Sequence, residues 1–458
     1  MPYQKFFDTL KKYDQEHILQ FWSELDEKQK AVFAQQIESI DFNLLVKLYN
    51  KTQSNNTLHD LNLEETKVIT LADRKKSDQA MIEAGENLIR EGKVAVFLVA
   101  GGQGSRLGFD GPKGVYPISP VKKKSLFQLH AEKIIALNRK YKTILPWYIM
   151  TSKTNNNATI AFFEENDFFG LDKKDVMFFE QELMPAVDKK GKLLLTEKNQ
   201  VFMSPNGHGG SLKAIWDSGA YDDMNKRGVE SIFYFQVDNV LINIADTAFV
   251  GYHKSDKSEM SSKIIRKAYP EEKVGVICKI NGQVGVIEYS DLSEKDTYAK
   301  TADGELKYWA GSIAIHMLET SFIKKLNEKG FSLPYHIAEK NIPYIDEKGN
   351  MVKPEDKNGY KFETFVFDAL QYCSKTTTIE GIREDDFSAL KNKTGLDSEE
   401  TAIKDASEMY KRWLKKADVN IPENVETIEI SALFARNEQE LIEKKSLLPE
   451  IKNNIYIG

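Results

Sequence analysis

Six glycines (Gly101, Gly102, Gly104, Gly108, Gly111 and Gly114) surround Arg106 and Lys113 in the stretch GGQGSRLGFDGPKG, 101–114. Glycine lets backbone N–H groups turn inward and approach a ligand closely. Oriented amides beside two cations form a site for a polyanion, and this stretch is expected to grip a nucleoside triphosphate. Two common phosphate loops are excluded. A Walker loop needs Gly-Lys followed by Ser or Thr, but Gly92-Lys93 precedes Val94 and Gly191-Lys192 precedes Leu193. A dinucleotide fingerprint needs G-x-G-x-x-G, and counting from Gly102 and Gly104 puts Leu107 where the third glycine belongs. What remains is GG-x-G-x-R-x-G, followed by P-K-G.

The loop must be held by the elements around it. The run VAVFLVA, 94–100, reads as a strand buried on both faces of a sheet. Strands are expected at 147–150, 176–179 and 232–237, and helices at 126–140, 158–165 and 210–217. Such alternation implies a mostly parallel sheet covered on both faces. Ligands in these folds sit at the carboxyl ends of strands. The glycine loop, Gln181 and Asp238 all fall at such ends, so they can converge.

Residues 1–90 read as helices. Leu10, Ile18, Leu19, Trp22 and Leu25 fall near helical spacing, and Ala31, Phe33, Ala34 and Ile37 make a second helix. Asp41 is expected to cap a third, carrying Leu44, Leu45 and Leu48. TQSNNT, 52–57, reads as a polar loop. A helix over 77–91, with Ser77 as N-cap, leads into the 94–100 strand. Between 260 and 318 the strands take an antiparallel character, with Asn281-Gly282 suited to a tight hairpin. Phe362, Phe365, Val366, Phe367, Ala369 and Leu370 form a dense apolar face. A helix over 401–416 and a short strand at 427–430 follow.

The chain has 458 residues, 41% hydrophobic and 29% charged, with a formal net charge of -6. Length suggests two or three domains. The negative balance argues against a general nucleic-acid binder. The two cysteines, Cys278 and Cys373, read as buried apolar thiols and not as a disulfide or zinc framework. The N-terminus lacks a signal-peptide layout, and no apolar run is long enough to suggest a membrane span. A cytoplasmic protein is the expectation.

AGGQGSRLG followed by GPKG resembles the signature of the eukaryotic-type UDP-sugar pyrophosphorylases. The similarity continues through KSLFQLHAEKI (124–134), FFEQELMPAVDKKGK (178–192), FMSPNGHGG (202–210) and FQVDN (235–239). Further on it includes AYPEEKVGVI (268–277), VIEYSDLS (286–293), AGSIAIH (310–316), KFETFVFDAL (361–370) and FSALKN (387–392). Within that family it is most similar to the UDP-N-acetylhexosamine pyrophosphorylases. The resemblance implies an α/β, Rossmann-like nucleotidyltransferase core with a mixed sheet over 91–380. It also implies an N-terminal helical region over 1–90 and a small C-terminal region over 381–458. The implied reaction joins UTP to a sugar 1-phosphate, giving a UDP-sugar and pyrophosphate.

The site residues follow from the same resemblance. Arg106, Lys113 and Lys391 are expected at the phosphates. Gly101, Gly102, Gln181 and Gly207 correspond to uracil and ribose contacts. His208, Asp238, Gly275, Glu288, Ser312, Phe365 and Phe367 correspond to the sugar side, and Asp238 also to the carboxylate that holds Mg2+. No protein nucleophile is required, because the sugar phosphate arrives as an anion. His208 is therefore expected to shape or line the site. Lys122 and Lys123 are expected in a solvated loop, and Lys124 has no catalytic role. One departure bears on the substrate. The acetylhexosamine subgroup has Asn where this chain has Ser312; N-acetylglucosamine 1-phosphate is the expected sugar substrate, giving UDP-N-acetylglucosamine, with a UTP–glucose-1-phosphate uridylyltransferase or a broad UDP-sugar pyrophosphorylase, acting on glucose or galactose 1-phosphate, as the alternative. A nucleotide-sugar-binding protein without catalysis is the remaining alternative.

Overall fold

A computed structural model describes residues 3–53, 61–331 and 333–458. The chain divides into two compact units. One comprises Met1–Asp60, Gln181–Gly210 and Ser332–Asp368, and the other Leu61–Glu180, Ser211–Phe331 and Ala369–Gly458. The boundaries expected at 90 and 380 differ from this division. Residues 61–90 and 381–458 belong with the larger unit, and 181–210 and 333–368 join the N-terminal helices. Contacts between distant segments, not a change in composition, define the units.

In the smaller unit, helices Tyr3–Lys12, Glu27–Glu38 and Phe42–Gln53 bury Phe6, Leu10, Phe33, Leu45 and Leu48. This apolar face shares a core with Val187, Leu193, Leu195, Val201 and Phe362. Asp41 caps the third helix as expected, accepting from the Leu44 N–H at 2.9 Å. The first expected helix is broken, since Ile18 and Trp22 sit on short 3-10 turns. Thr52 and Gln53 end the third helix, and the rest of TQSNNT lies outside the described residues. Strand Tyr335–Lys340 pairs antiparallel with Gly359–Thr364, which in turn pairs with Val187–Asp188.

The larger unit is built on a ten-stranded mixed sheet. Its strands are β1 (Val94–Val99), β2 (Trp147–Thr151), β3 (Val176–Glu180), β4 (Ser231–Gln236), β5 (Met260–Arg266), β6 (Val276–Ile280), β7 (Gln283–Ile287), β8 (Ala310–Glu319) and β9 (Thr376–Glu380), with Leu63–Glu64 at one edge. The parallel part runs β4-β1-β2-β3, in the register Gln236↔Val99, Val99↔Met150 and Thr151↔Glu180. That register brings the carboxyl ends into line. Residues 94–98 are all under 2% exposed, so β1 reads as an unbroken apolar run. The antiparallel part is β6, β7, β8 and β5. Asn281 and Gly282 both take positive φ, 51° and 84°, in the β6–β7 hairpin, as a tight mirror-type turn requires.

Helix α1 (Leu71–Arg90) begins earlier than expected. Thr70 caps it, and Asp73 returns a bond to the Thr70 N–H. This reciprocal capping box leaves Ser77 within the helix. Helices α2 (Leu126–Tyr141), α3 (Thr247–Ser255) and α4 (Glu399–Lys416) complete the layers used below. Cys278 is buried and Cys373 half-buried, both as free thiols. Among the described residues no helix is long and apolar enough to cross a membrane.

Candidate active site

Beyond β1 the glycine loop folds back on itself. The Lys113 N–H donates to the Gly102 carbonyl at 3.0 Å, and the Gly104 N–H to the Gly111 carbonyl at 2.9 Å. Gly108 takes φ +71°, where a side chain would be strained. Asn155, in the polar turn after β2, holds the loop from beside it. Its Nδ2 donates to the Ala100 carbonyl at 2.9 Å and to that of Gly102 at 3.3 Å. Its Oδ1 accepts from the Ser152 N–H at 2.8 Å, which fixes the amide orientation. Among the described residues, the amides of Gly101 and Gly102 have no acceptor, and Arg106 is exposed without an ion pair. The loop therefore presents uncommitted donors at the end of a buried strand.

Asp238 follows β4 by two residues. Its Oδ2 lies 3.2 Å from Lys113 Nζ, with both side chains largely buried. Burial alone would raise this carboxyl, but the charges of Lys113 and Lys391 outweigh it and hold the group below its ordinary range. Asp238 is accordingly an anion at neutral pH.

Lys391 reaches this place on a strap. The Val240 N–H donates to the Ser388 carbonyl and the Leu390 N–H to the Asp238 carbonyl, each at 2.9 Å. Asn239 adds two bonds, Nδ2 to the Asp386 carbonyl at 2.7 Å and Oδ1 from the Ser388 N–H at 3.1 Å. The base of the strap is anchored by buried Lys263, which donates to Asp246 at 2.5 Å and to Asp386 at 2.8 Å. Helix α2 supports the Asp238 segment from its other side. His130 donates to the Val237 carbonyl at 3.2 Å, and Lys133 to those of Val240 and Ile242 at 3.0 and 2.9 Å. Burial pushes the Lys133 ammonium down to about 7 and, with Lys133 as a lesser cause, the His130 imidazole to about 3.

Gly275, Glu288 and Ser312 come together in the antiparallel part of the sheet. The Ser312 N–H donates to the Gly275 carbonyl at 2.7 Å. A β-carbon built on Gly275 would lie 3.3 Å from Glu288 Oε1. The pairing of β5 with β8 shifts at Lys263/Ile264, near Ala314 at φ 54°. Such a bulge re-aims neighbouring side chains, here next to Ser312.

Gln181, Gly207, His208, Phe365 and Phe367 belong to the smaller unit. Gln181, 8% exposed, stands two residues before the strand Leu183–Pro185, which pairs with Met203–Pro205 ahead of the NGHGG turn. Gly207, at φ +85°, lies so close to the next strand that a β-carbon would be 2.3 Å from the Thr364 carbonyl oxygen. That contact sets His208 among aromatic rings, stacked on Phe365 at 5.2 Å and edge-on to Phe367 at 5.7 Å. His208 Nδ1 accepts from the Val366 N–H at 3.1 Å. Burial, helped by nearby His336, pushes the His208 imidazole down to about 4. It is neutral near pH 7, with its proton on Nε2. This suits a lining role better than acid–base work.

Sequence reasoning missed Asn155, Asn239, His130, Lys133 and the pair His336–Asp368. Asp368 accepts from His336 Nε2 at 2.8 Å, and the His336 ring lies 4.4 Å from Phe365. Asn239 stands inside the FQVDN motif, and its place beside Asp238 was the one available signal. Lys122 and Lys123 are exposed in a turn, as expected of a solvated loop, and the backbone of that turn is anchored. The N–H groups of Val121 and Lys122 both donate to buried Glu429 at 2.8 Å. Lys124 is 8% exposed and bound to Glu132 at 2.7 Å.

Among the described residues, no group of three or more His, Cys, Asp or Glu side chains is placed to hold a metal ion. Magnesium needs only one or two carboxylates with phosphate oxygens and water. Asp238, ionised beside a polyanion loop, fits a nucleotide-borne ion and not an all-protein cage.

The profile of the UTP–glucose-1-phosphate uridylyltransferase family matches residues 41–444. The human UDP-N-acetylhexosamine pyrophosphorylase-like protein 1 is 36% identical over 428 residues, covering 89% of this chain and 84% of its own. The UDP-N-acetylglucosamine pyrophosphorylase of Saccharomyces cerevisiae is 36% identical over 437 residues, 93% of this chain and 91% of its own. The crystal structure of the Trypanosoma brucei uridine diphosphate N-acetylglucosamine pyrophosphorylase, in complex with an inhibitor, superposes with a TM-score of 0.80. Its sequence identity is 25%, covering 100% of this chain and 98% of that one.

Proposed function

The chain belongs to the UTP–glucose-1-phosphate uridylyltransferase family, and from that premise we propose that it makes UDP-N-acetylglucosamine and pyrophosphate from UTP and N-acetylglucosamine 1-phosphate. The observation that carries this reading is the joining of the glycine loop to Asp238 and Lys391 by short contacts at the carboxyl ends of adjacent parallel strands. The names of the similar proteins direct the choice of sugar.

In this reaction an oxygen of the sugar phosphate attacks the α-phosphorus of UTP in line, and pyrophosphate leaves. Such chemistry is mainly positioning and neutralisation of charge. Arg106, Lys113 and Lys391 bind the phosphates, where charge-assisted hydrogen bonds are strong. Uncommitted amides at Gly101 and Gly102 meet the nucleotide, and the Gln181 carboxamide of the smaller unit carries the donor and acceptor that a uracil edge pairs with. Asp238 would hold Mg2+, which supplies further neutralisation of phosphate oxygens when bound. On the sugar side, Glu288 accepts from hydroxyl groups and Ser312 donates or accepts. In the smaller unit, His208, Phe365 and Phe367 offer a neutral, largely apolar surface of the kind a hexose face packs on.

Ser312 favours a second reading, UTP–glucose-1-phosphate uridylyltransferase or a broad UDP-sugar pyrophosphorylase. A serine hydroxyl reaches less far than a carboxamide. The deciding measurement is pyrophosphate release from UTP with N-acetylglucosamine, glucose and galactose 1-phosphates. The N-acetylated substrate is expected to have the highest kcat/KM. A lead of about tenfold or more for glucose 1-phosphate would replace the first reading with the second.

A further inference from the structure

The strap that carries Lys391 continues into a tight loop, and that loop returns to the glycine loop. The N–H groups of Lys391 and Asn392 donate to the Asp397 carbonyl at 2.7 and 2.9 Å. Asn392 Nδ2 donates to the Leu396 carbonyl at 2.8 Å. Ser398 then caps α4, and Tyr116 Oη donates to Glu399 at 2.6 Å. The loop is thus tied at both ends to the nucleotide side of the larger unit.

Within it, Lys393 lies against Gly108. A β-carbon built on that glycine would be 3.6 Å from Lys393 Nζ, 3.7 Å from its Cδ and 3.9 Å from its Cε. The whole outer stem therefore packs on the left-handed turn of the glycine loop, between Arg106 and Lys113 in sequence. Among the described residues Lys393 has no ion pair, and Asp110, the loop's own carboxylate, pairs with none of these cations. Lys113 is paired with Asp238 at 3.2 Å and Lys391 with Asp397 at 3.7 Å, so Lys393 is a cation on the glycine loop whose charge no described carboxylate has taken up, and a bound polyanion supplies the missing counter-charge.

We propose that Lys393 is a further phosphate-binding residue, which contacts the two terminal phosphates of UTP and holds the departing pyrophosphate against the glycine loop. The inference rests on the uridylyl-transfer reading above. Its ligand is pyrophosphate, free or as the end of the triphosphate. The UDP-sugar lacks these terminal phosphates, so its binding does not involve Lys393.

The test is pyrophosphorolysis of UDP-N-acetylglucosamine by the full chain, comparing wild type with Lys393→Met, which keeps the stem. The KM for pyrophosphate is expected to rise about fivefold to twentyfold, the loss of one charge-assisted contact. The KM for UDP-N-acetylglucosamine is expected to stay put, and Lys393→Arg should recover most of the loss. An unchanged pyrophosphate KM would overturn the inference, as would an equal rise in both KM values, which would signal a distorted loop. A wild-type chain that fails to convert UDP-N-acetylglucosamine or UDP-glucose would refute the underlying reading. An active wild type that Lys393→Met matches would refute the role of Lys393 alone.

Discussion

Around Lys113 in the larger unit, the chain gathers cations, uncommitted amides and one ionised carboxylate on loops that end buried strands. Around His208 in the smaller unit, it gathers rings instead, with an imidazole that burial keeps neutral. The first region keeps donors in reserve, and the second has filled its space with aromatic contacts. A transferring phosphoryl group carries dense charge, and its binding energy comes from fixed donors and cations. A hexose carries little charge, and its recognition comes from shape, apolar faces and a few hydrogen bonds. One region is thus suited to a densely charged group and the other to a nearly uncharged ring.

That contrast is open to direct attack. The largest expected effect is at Lys113. Lys113→Ala should lower kcat by about 10²-fold to 10³-fold, the usual loss for one stabilising donor, with the melting transition retained. A kcat within threefold or so of wild type would remove the cationic region's claim to the reaction.

Phe365→Ala comes next. Half-buried and flanked by His208 and His336 at 5.2 and 4.4 Å, it should raise the KM for the sugar 1-phosphate by about tenfold, or ~1.4 kcal/mol. The KM for UTP should not follow. Equal rises in both would blur the contrast, and a kcat loss matching that of Lys113→Ala would break it.

The smallest effect is on stability. The folded-state pKa of His208, about 4, lies below its ordinary 6.5, so the unfolded chain binds the extra proton first. Stability from a neutral, buried His208 is complete above pH 6.5 and is lost progressively as pH falls toward 4. Denaturant titrations of wild type and His208→Gln across that window should differ in slope, by on the order of 1–3 kcal/mol in total. Parallel curves would show that the imidazole is not held neutral by its surroundings.

Much of the fold was legible along the chain. β1, β2 and β4 announce themselves as apolar runs because a strand buried on both faces has no polar positions. The Asn281-Gly282 turn was legible because few residue pairs accept positive φ in succession. The start of α1 was misread at Ser77. Thr70 and Asp73 form the reciprocal cap, and several polar residues there compete as candidates on local pattern alone. The division into two units was not legible at all. Segments 181–210 and 333–368 join the first helices through a core in which Val187, Leu193 and Phe362 meet Phe33 and Leu48. No local property of any of these segments encodes that meeting.

The candidate site splits in the same way. By itself the sequence determined the kinds of chemistry present: glycines and cations for a polyanion, a carboxylate at a strand end, aromatics and a histidine elsewhere. Local composition is enough for this, because residue type fixes charge, donor number and backbone freedom. Only the tertiary structure decided which groups act on one another. It brought the strap at 386–391 against Asp238 and set Lys393 on the turn of the glycine loop. It shifted the strand pairing next to Ser312 and paired His336 with Asp368. Each of these depends on contacts between segments distant along the chain. Hydrogen bonds and close packing reward such contacts only after the whole sheet has formed.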